Sequence, residues 1–204
     1  QIVFHAQIAR ENGVFRIDDV ITEVCKKLIS RHPHIFGDVK ADTSEQVLAN
    51  WEAIKKKEKK LDSQTGVLKD VPKNLPALMR SYKVQQKAAQ VGFDWDDIKD
   101  VFTKVDEEIN ELKEAYRSGD KEKISNELGD TLFSIVNLAR FLDVQPELAL
   151  SNTVNKFIKR FEYVEKQSAE QGKKLEEMSL AEMDELWNKA KKDFANDGKK
   201  DSAG

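Results

Sequence analysis

The chain has a single cysteine in 204 residues, Cys25. That excludes an intramolecular disulfide framework and fits a reducing compartment. Cys25 lies in a helical stretch with Val24 and Leu28, where a small buried residue is expected rather than a nucleophile. With only four prolines and nine glycines, there is little room for a turn-rich all-β fold. No apolar run approaches the roughly 20 residues of a membrane span, and the N-terminus does not read as a secretory leader. The formal charge of −3 gives no general pull toward nucleic acid or an anionic membrane. His5, His32 and His34 stand far in sequence from the acidic residues described below, and no Glu-x-x-His occurs, which argues against a di-iron carboxylate bundle. A P-loop, a Rossmann glycine fingerprint and a locatable Ser/His/Asp set are all missing. What remains is an all-α protein, expected to be soluble and cytoplasmic, with no membrane or nucleic-acid partner.

The length is compatible with one domain or two small ones. Residues Gln1 to Ala9 read as helix already in progress, without an N-cap or polar lead-in, so residue 1 is expected not to be the natural start of its domain. A second helix is predicted from Asp18 to Arg31, breaking at His32-Pro33-His34. A third runs from Thr43 or Ser44 through Trp51 and Ile54 into the charge run Lys55 to Lys60. Asp62 to Gly66 looks like a linker. Asn74-Leu75-Pro76 supplies a cap and an early proline for a helix to Val91-Gly92. Asp94 to Asp97 caps the next, with Val101, Val105, Ile109, Leu112 and Tyr116 as its apolar stripe. Gln145-Pro146-Glu147 opens a long helix to about Gln171-Gly172, and Ser179 to Glu182 is a capping-box pattern for a last helix through Phe194.

The halves resemble each other. Ile2 to Gln7 matches Ile135 to Arg140 in pattern, and Lys27-Leu28-Ile29-Ser30-Arg31 matches Lys156-Phe157-Ile158-Lys159-Arg160. The domain plan is therefore residues 1–60 as the C-terminal half of a first repeat, 61–73 as linker, 74–194 as a complete second domain, and 195–204 as a disordered tail.

The most informative residues are four carboxylates, Glu108 and Glu111, then Glu127 and Asp130. Each pair is spaced i, i+3, which puts both members on one helix face. The pairs flank a break at Ser118-Gly119-Asp120, with seven residues from Glu111 to Ser118 and seven from Asp120 to Glu127. A tight turn there makes the helices antiparallel, with both pairs roughly 10–15 Å from it at 1.5 Å per residue. Glu111 then stands level with Glu127, and Glu108 with Asp130. Four converging acids repel unless a multivalent cation sits among them, and oxygen-only ligands suit Mg²⁺ or Mn²⁺. The simpler alternative is a solvated charge cluster, since 35% of the chain is charged. Against it, the helix from Ile124 to Leu142 is apolar around most of its circumference, which predicts burial, and buried carboxylates need a partner or a metal.

Other groups could carry chemistry. Lys156 and Arg160, at i, i+4, could grip phosphate oxygens. Lys104 sits one turn before Glu108, as a phosphate contact or an ion-pair partner. Trp187 and Lys191 pair at i, i+4, where an indole could stack on a base, although core packing is the commoner role for such a tryptophan.

Glu107-Glu108-Ile109-Asn110-Glu111 followed by Glu127-Leu128-Gly129-Asp130 resembles the Glu-Glu-x-x-Glu … Glu-x-x-Asp pattern of the MazG-like nucleoside triphosphate pyrophosphohydrolases. Leu75 to Arg80, Val91 to Trp95, and Arg31 to Asp38 are similar to the two-domain members, so the resemblance covers nearly the whole chain except linker and tail. It implies an all-α, Mg²⁺-dependent enzyme that converts nucleoside triphosphates to monophosphate and pyrophosphate. By motif position, Glu108, Glu111, Glu127 and Asp130 correspond to metal ligands. Lys104, Lys123, Asn126, Asp130, Lys156, Arg160, Trp187 and Lys191 correspond to nucleotide contacts. Glu107 or a ligand carboxylate is the candidate proton acceptor. A helical hairpin with one apolar face needs partners, so a homodimer is expected, and the resemblance agrees. The alternative is a non-catalytic nucleotide-binding or interaction protein on the same scaffold.

Overall fold

In the computed structural model, which describes residues 1–59 and 61–200 and their side chains as far as Phe194, the chain is built of helices. No strand occurs among the described residues. The chain divides into two compact units, Gln1–Val71 and a second from Pro72 onward.

The first unit holds α1 (Ile2–Glu11), α2 (Ile17–Arg31), the one-turn α3 (Pro33–Phe36), α4 (Ser44–Glu58) and α5 (Gln64–Lys69). The Asp19 carboxylate caps the start of α2 by accepting from the Arg16 N–H at 2.8 Å. Thr43 Oγ1 does the same for α4, accepting from the Gln46 N–H at 3.3 Å. The expected linker instead contains α5. Ser63 Oγ caps it at the Gly66 N–H, 3.0 Å away. Asp70 at its end ties back to α4 through Lys59 at 2.5 Å and Lys55 at 3.4 Å. Tertiary ion pairs therefore order a segment whose composition reads as coil. Cys25 is exposed, not buried as expected, because the α2 face that also carries Ile21, Val24 and Leu28 is left open by the rest of its unit.

The second unit holds α6 (Ala77–Ala89), α7 (Ile98–Ser118), α8 (Lys121–Phe141), α9 (Pro146–Glu170), a 3-10 turn (Leu175–Glu177) and α10 (Leu180–Lys200). Asn74 does not cap α6. Pro76, extended at φ −50 and ψ 145, is the N-cap residue, and no side chain caps that end. Asp97 caps α7 by accepting from the Lys99 N–H at 2.8 Å. The Ser179–Glu182 capping box forms as read, with the Ser179 N–H donating to Glu182 at 2.8 Å and the Glu182 N–H to Ser179 Oγ at 3.3 Å. The α10 backbone continues to Lys200, into the tail expected from Ala195. Residues 201–204 of that tail lie outside the described residues.

Two packing centres hold this unit. Val164, Met178 and Leu186, with Leu175, Met183 and Trp187 against them, join α9 to α10. Val101 and Ala115 on α7 and Val136 on α8 are buried along the hairpin, whereas Tyr116, expected on the same stripe, is exposed. The α8 helix is not buried all round within the chain. Leu128 and Leu132 are each 47% exposed, and Ile135 and Leu142 lie open beside them. These residues recur at near-heptad spacing, so one apolar stripe is simply uncovered. The residues α8 buries against its neighbours are Thr131, Ser134 and Val136.

Candidate active site

The site is built on the α7–α8 hairpin. α7 ends at Gly119, whose φ of +72 lies in the left-handed region that glycine enters without steric cost. Asp120 follows at once and caps α8, its Oδ1 accepting from the N–H groups of Glu122 and Lys123 at 3.0 and 3.2 Å. A two-residue connection of this kind forces antiparallel pairing. Thr131 fixes the register: its buried hydroxyl donates to the Glu127 carbonyl at 2.8 Å and lies 3.3 Å from the Glu108 carbonyl across the hairpin.

That register gathers the acids. Oxygens of Glu108, Glu127 and Asp130 all lie within 4.8 Å of one another. Glu108 is 7% exposed. Its Oε1 takes the Lys104 ammonium at 2.8 Å, and its Oε2 is buried with no hydrogen-bond partner. A bare carboxylate oxygen of this kind costs free energy unless something positive completes it. Three carboxylates, one of them with an orphaned oxygen, are a donor set for a hard divalent cation, so these residues fit the metal that the spacing implied. Glu111 stands one turn further along α7, outside the tight group of three but inside its field. Desolvation, and then the charges of Glu108 and Glu127, raise its carboxyl above the ordinary range.

Lys104 is an ion-pair partner in this structure. It binds Glu108 and, at 3.0 Å, Glu107, and these hydrogen bonds hold its pKa above the usual lysine range. Glu107 is exposed, as are Lys123 and Asn126 on the first turns of α8. On the other packing centre the Arg160 guanidinium carbon lies 5.7 Å from the Trp187 ring centroid. Trp187 also packs on Phe157, with ring centroids 4.9 Å apart. Lys156 and Lys191 are exposed. Among the described residues, no hydrogen bond or ion pair joins Lys156, Arg160, Trp187 or Lys191 to the carboxylates. The structure thus assembles two groups, an acidic one on α7–α8 and a cation–aromatic one on α9–α10.

Sequence reasoning missed Thr131, since a lone threonine inside a helix carries no signal of its own. It also missed the clamp beside the hairpin, where Arg140 grips Asp94 with both terminal nitrogens and donates to Asn137 Oδ1. The hint was Asp94 itself, read only as a helix cap.

The chain matches the MazG nucleotide pyrophosphohydrolase domain over residues 1–36 and 97–165. A nucleoside triphosphate pyrophosphohydrolase/pyrophosphatase MazG of Thermotoga maritima is 47% identical over 193 residues, covering 94% of this chain and 72% of that protein. This chain belongs to the MazG family. A nucleoside triphosphate pyrophosphohydrolase of Escherichia coli K12 is 43% identical over 194 residues, 94% of the chain and 74% of that protein. An uncharacterized protein of Bacillus subtilis, YabN, is 48% identical over 192 residues, which are 39% of its own length. One MazG match lies in the first unit and the other spans α7, α8 and most of α9, the elements that carry the acids, Lys156 and Arg160.

Proposed function

We propose that the chain hydrolyses nucleoside triphosphates to the monophosphate and pyrophosphate, using a divalent cation held by Glu108, Glu127 and Asp130 with Glu111 at its edge. The carrying observation is the convergence of oxygens of three carboxylates, one of which, Glu108, also has a buried oxygen without a partner. The activity in the names of the Thermotoga maritima and Escherichia coli relatives supports the same reading. Mg²⁺ is the expected ion, with Mn²⁺ as the alternative. When bound, it would neutralise triphosphate charge and lower the pKa of a water.

The chain's own residues do the rest. Lys104 holds Glu108 in place from one side, and Thr131 fixes the level of Glu127 from the other. Arg160 and Lys156 bind phosphate oxygens, Arg160 with its planar fork. Trp187 offers a ring face to the base, and Lys191 a charge beside it. Sequence-tolerant stacking of this kind accepts any base. Lys123 and Asn126, just before Glu127, line the approach to the acids. Glu107, exposed and held on one oxygen by Lys104, is placed to accept the proton of the attacking water.

Two features of organisation belong to the same reading. Residues 1–60 belong to a first MazG-like repeat, ahead of a second at 74–194 that carries the acidic motif. A homodimer covers the open stripe of Leu128, Leu132, Ile135 and Leu142. The test is product analysis with Mg²⁺ for the wild type and Glu108→Gln. Nucleoside monophosphate and pyrophosphate from the wild type alone support the reading, and unimpaired hydrolysis by the variant removes the acids from it.

A further inference from the structure

The two units carry the same cation–aromatic arrangement and differ in what sits on it. In the second unit Lys156 and Arg160 are spaced i, i+4, as are Trp187 and Lys191, and Arg160 lies over the Trp187 ring. In the first unit Lys27 and Arg31 repeat the first spacing, and Trp51 and Lys55 the second. Here too the geometry follows: the Arg31 guanidinium carbon is 5.3 Å and the Lys55 ammonium 5.6 Å from the Trp51 ring centroid.

The difference that bears on Arg31 is at two positions, Glu58 and Ser30, the latter standing where the second unit has Lys159. Glu58 follows Trp51 by seven positions, where Phe194 follows Trp187. The Glu58 carboxylate accepts from Arg31 Nε at 2.8 Å and from a terminal Arg31 nitrogen at 2.5 Å, and its other oxygen accepts from Ser30 Oγ at 2.7 Å. The Arg31 side chain is 7% exposed. Hydrogen bonds from Arg31 and then Ser30, with the charge of Lys27 behind them, hold the Glu58 pKa below the usual carboxylate range. Both Arg31 donors converge on one carboxylate oxygen, a charge-assisted contact of the kind a guanidinium also makes to a single phosphate oxygen. In the second unit, among the described residues, no carboxylate pairs with Arg160.

We propose that Lys27, Arg31, Trp51 and Lys55 form a second site for a nucleoside phosphate, and that Glu58 occupies its phosphate position and keeps it closed. The inference rests on the reading of Lys156, Arg160, Trp187 and Lys191 as a nucleotide grip. A ligand phosphate entering the first unit has to displace a charge-assisted contact already made. Neutralising Glu58 leaves Arg31 buried and without its anion, which turns the arrangement into an anion acceptor.

The experiment is calorimetric titration of the whole chain with a nucleoside triphosphate analogue bearing a methylene between the α and β phosphorus, in Mg²⁺, alongside ¹⁵N spectra of the arginine Nε–H groups. The wild type is expected to bind one analogue per chain, with the Arg160 signal moving and the Arg31 signal still. Glu58→Gln, which keeps an acceptor for Arg31, is expected to bind two, with both signals moving. A Glu58→Gln chain that is folded by circular dichroism yet binds one analogue, with Arg160 responding, overturns the inference and leaves the second-unit grip standing. An Arg160 signal that stays still in the wild type overturns both. If the variant does not fold, the wild type decides: Arg31 still while Arg160 moves supports the closed site, and joint movement overturns it.

Discussion

At the scale of single residues, the site turns on how four acids at close quarters are made tolerable. Glu108 resolves half of its problem through Lys104 and leaves Oε2 bare, which is why it is the ligand whose loss matters most. Glu108→Gln should lower turnover at least ten-fold, a loss of about 1.4 kcal/mol or more in transition-state stabilisation, as steady-state rates in Mg²⁺ will show. Asp130 is exposed and, among the described residues, makes no ion pair, so Asp130→Asn should raise the melting temperature of the metal-free protein. Glu111 gives a pH-dependent test. Its folded carboxyl is raised above the ordinary glutamate value of 4.5 by desolvation and by Glu108 and Glu127. The ionised form therefore costs stability at neutral pH, and the cost vanishes below 4.5, where both states bind the proton. Glu111→Gln should raise the melting temperature of the metal-free chain at neutral pH and leave it unchanged in acid. An equal rise at both would contradict that account.

At the scale of elements, the hairpin and its acids were legible because their signals are local. The i, i+3 spacing, the Gly119 break and the Asp120 cap all act within a few residues, and Glu108 meets Asp130 as the register predicts. Glu111 was placed too tightly, because helix spacing gives a level along the axis but not how far a side chain stands from the group. The α5 helix was illegible because the Lys55 and Lys59 contacts to Asp70 that order it reach back to another helix. The Asn74 cap failed for a backbone reason: the residue before a proline is kept extended, so helix begins only after Pro76. Two changes test these elements. An added Cβ at Gly119 would meet nothing within 4 Å, so Gly119→Ala carries backbone strain alone, about 1 kcal/mol, readable by denaturant melts. Glu182 has its pKa lowered to about 2 by the hydrogen bond from Lys173 and then by the Ser179 N–H and hydroxyl. Its support of α10 is fully present above the ordinary glutamate value of 4.5 and fades as pH falls toward about 2. Lys173→Met should move that loss of helicity to higher pH, and an unchanged acid limb would refute the assignment.

At the scale of the whole molecule, the largest departure from the sequence reading is α8. A helix apolar around most of its circumference was expected to be buried, yet Leu128, Leu132, Ile135 and Leu142 face outward. Hydrophobic periodicity says that a surface needs covering but not which chain covers it. The proposed homodimer supplies the cover. Leu128→Glu with Leu132→Glu should shift the sedimenting species from dimer to monomer while the α-helical signal persists. A wild-type chain that sediments as a monomer would end that proposal. A piece beginning at Pro72 keeps every residue placed in the catalytic site and should keep the rate per site if it still pairs. The central claim, that the α7–α8 carboxylates hold the divalent cation on which triphosphate cleavage depends, is tested most directly by ³¹P spectra of a nucleoside triphosphate incubated with the wild-type chain. The account predicts monophosphate and pyrophosphate in Mg²⁺ and no turnover in excess EDTA. The same products at the same rate in EDTA, or diphosphate and orthophosphate in Mg²⁺, would contradict it.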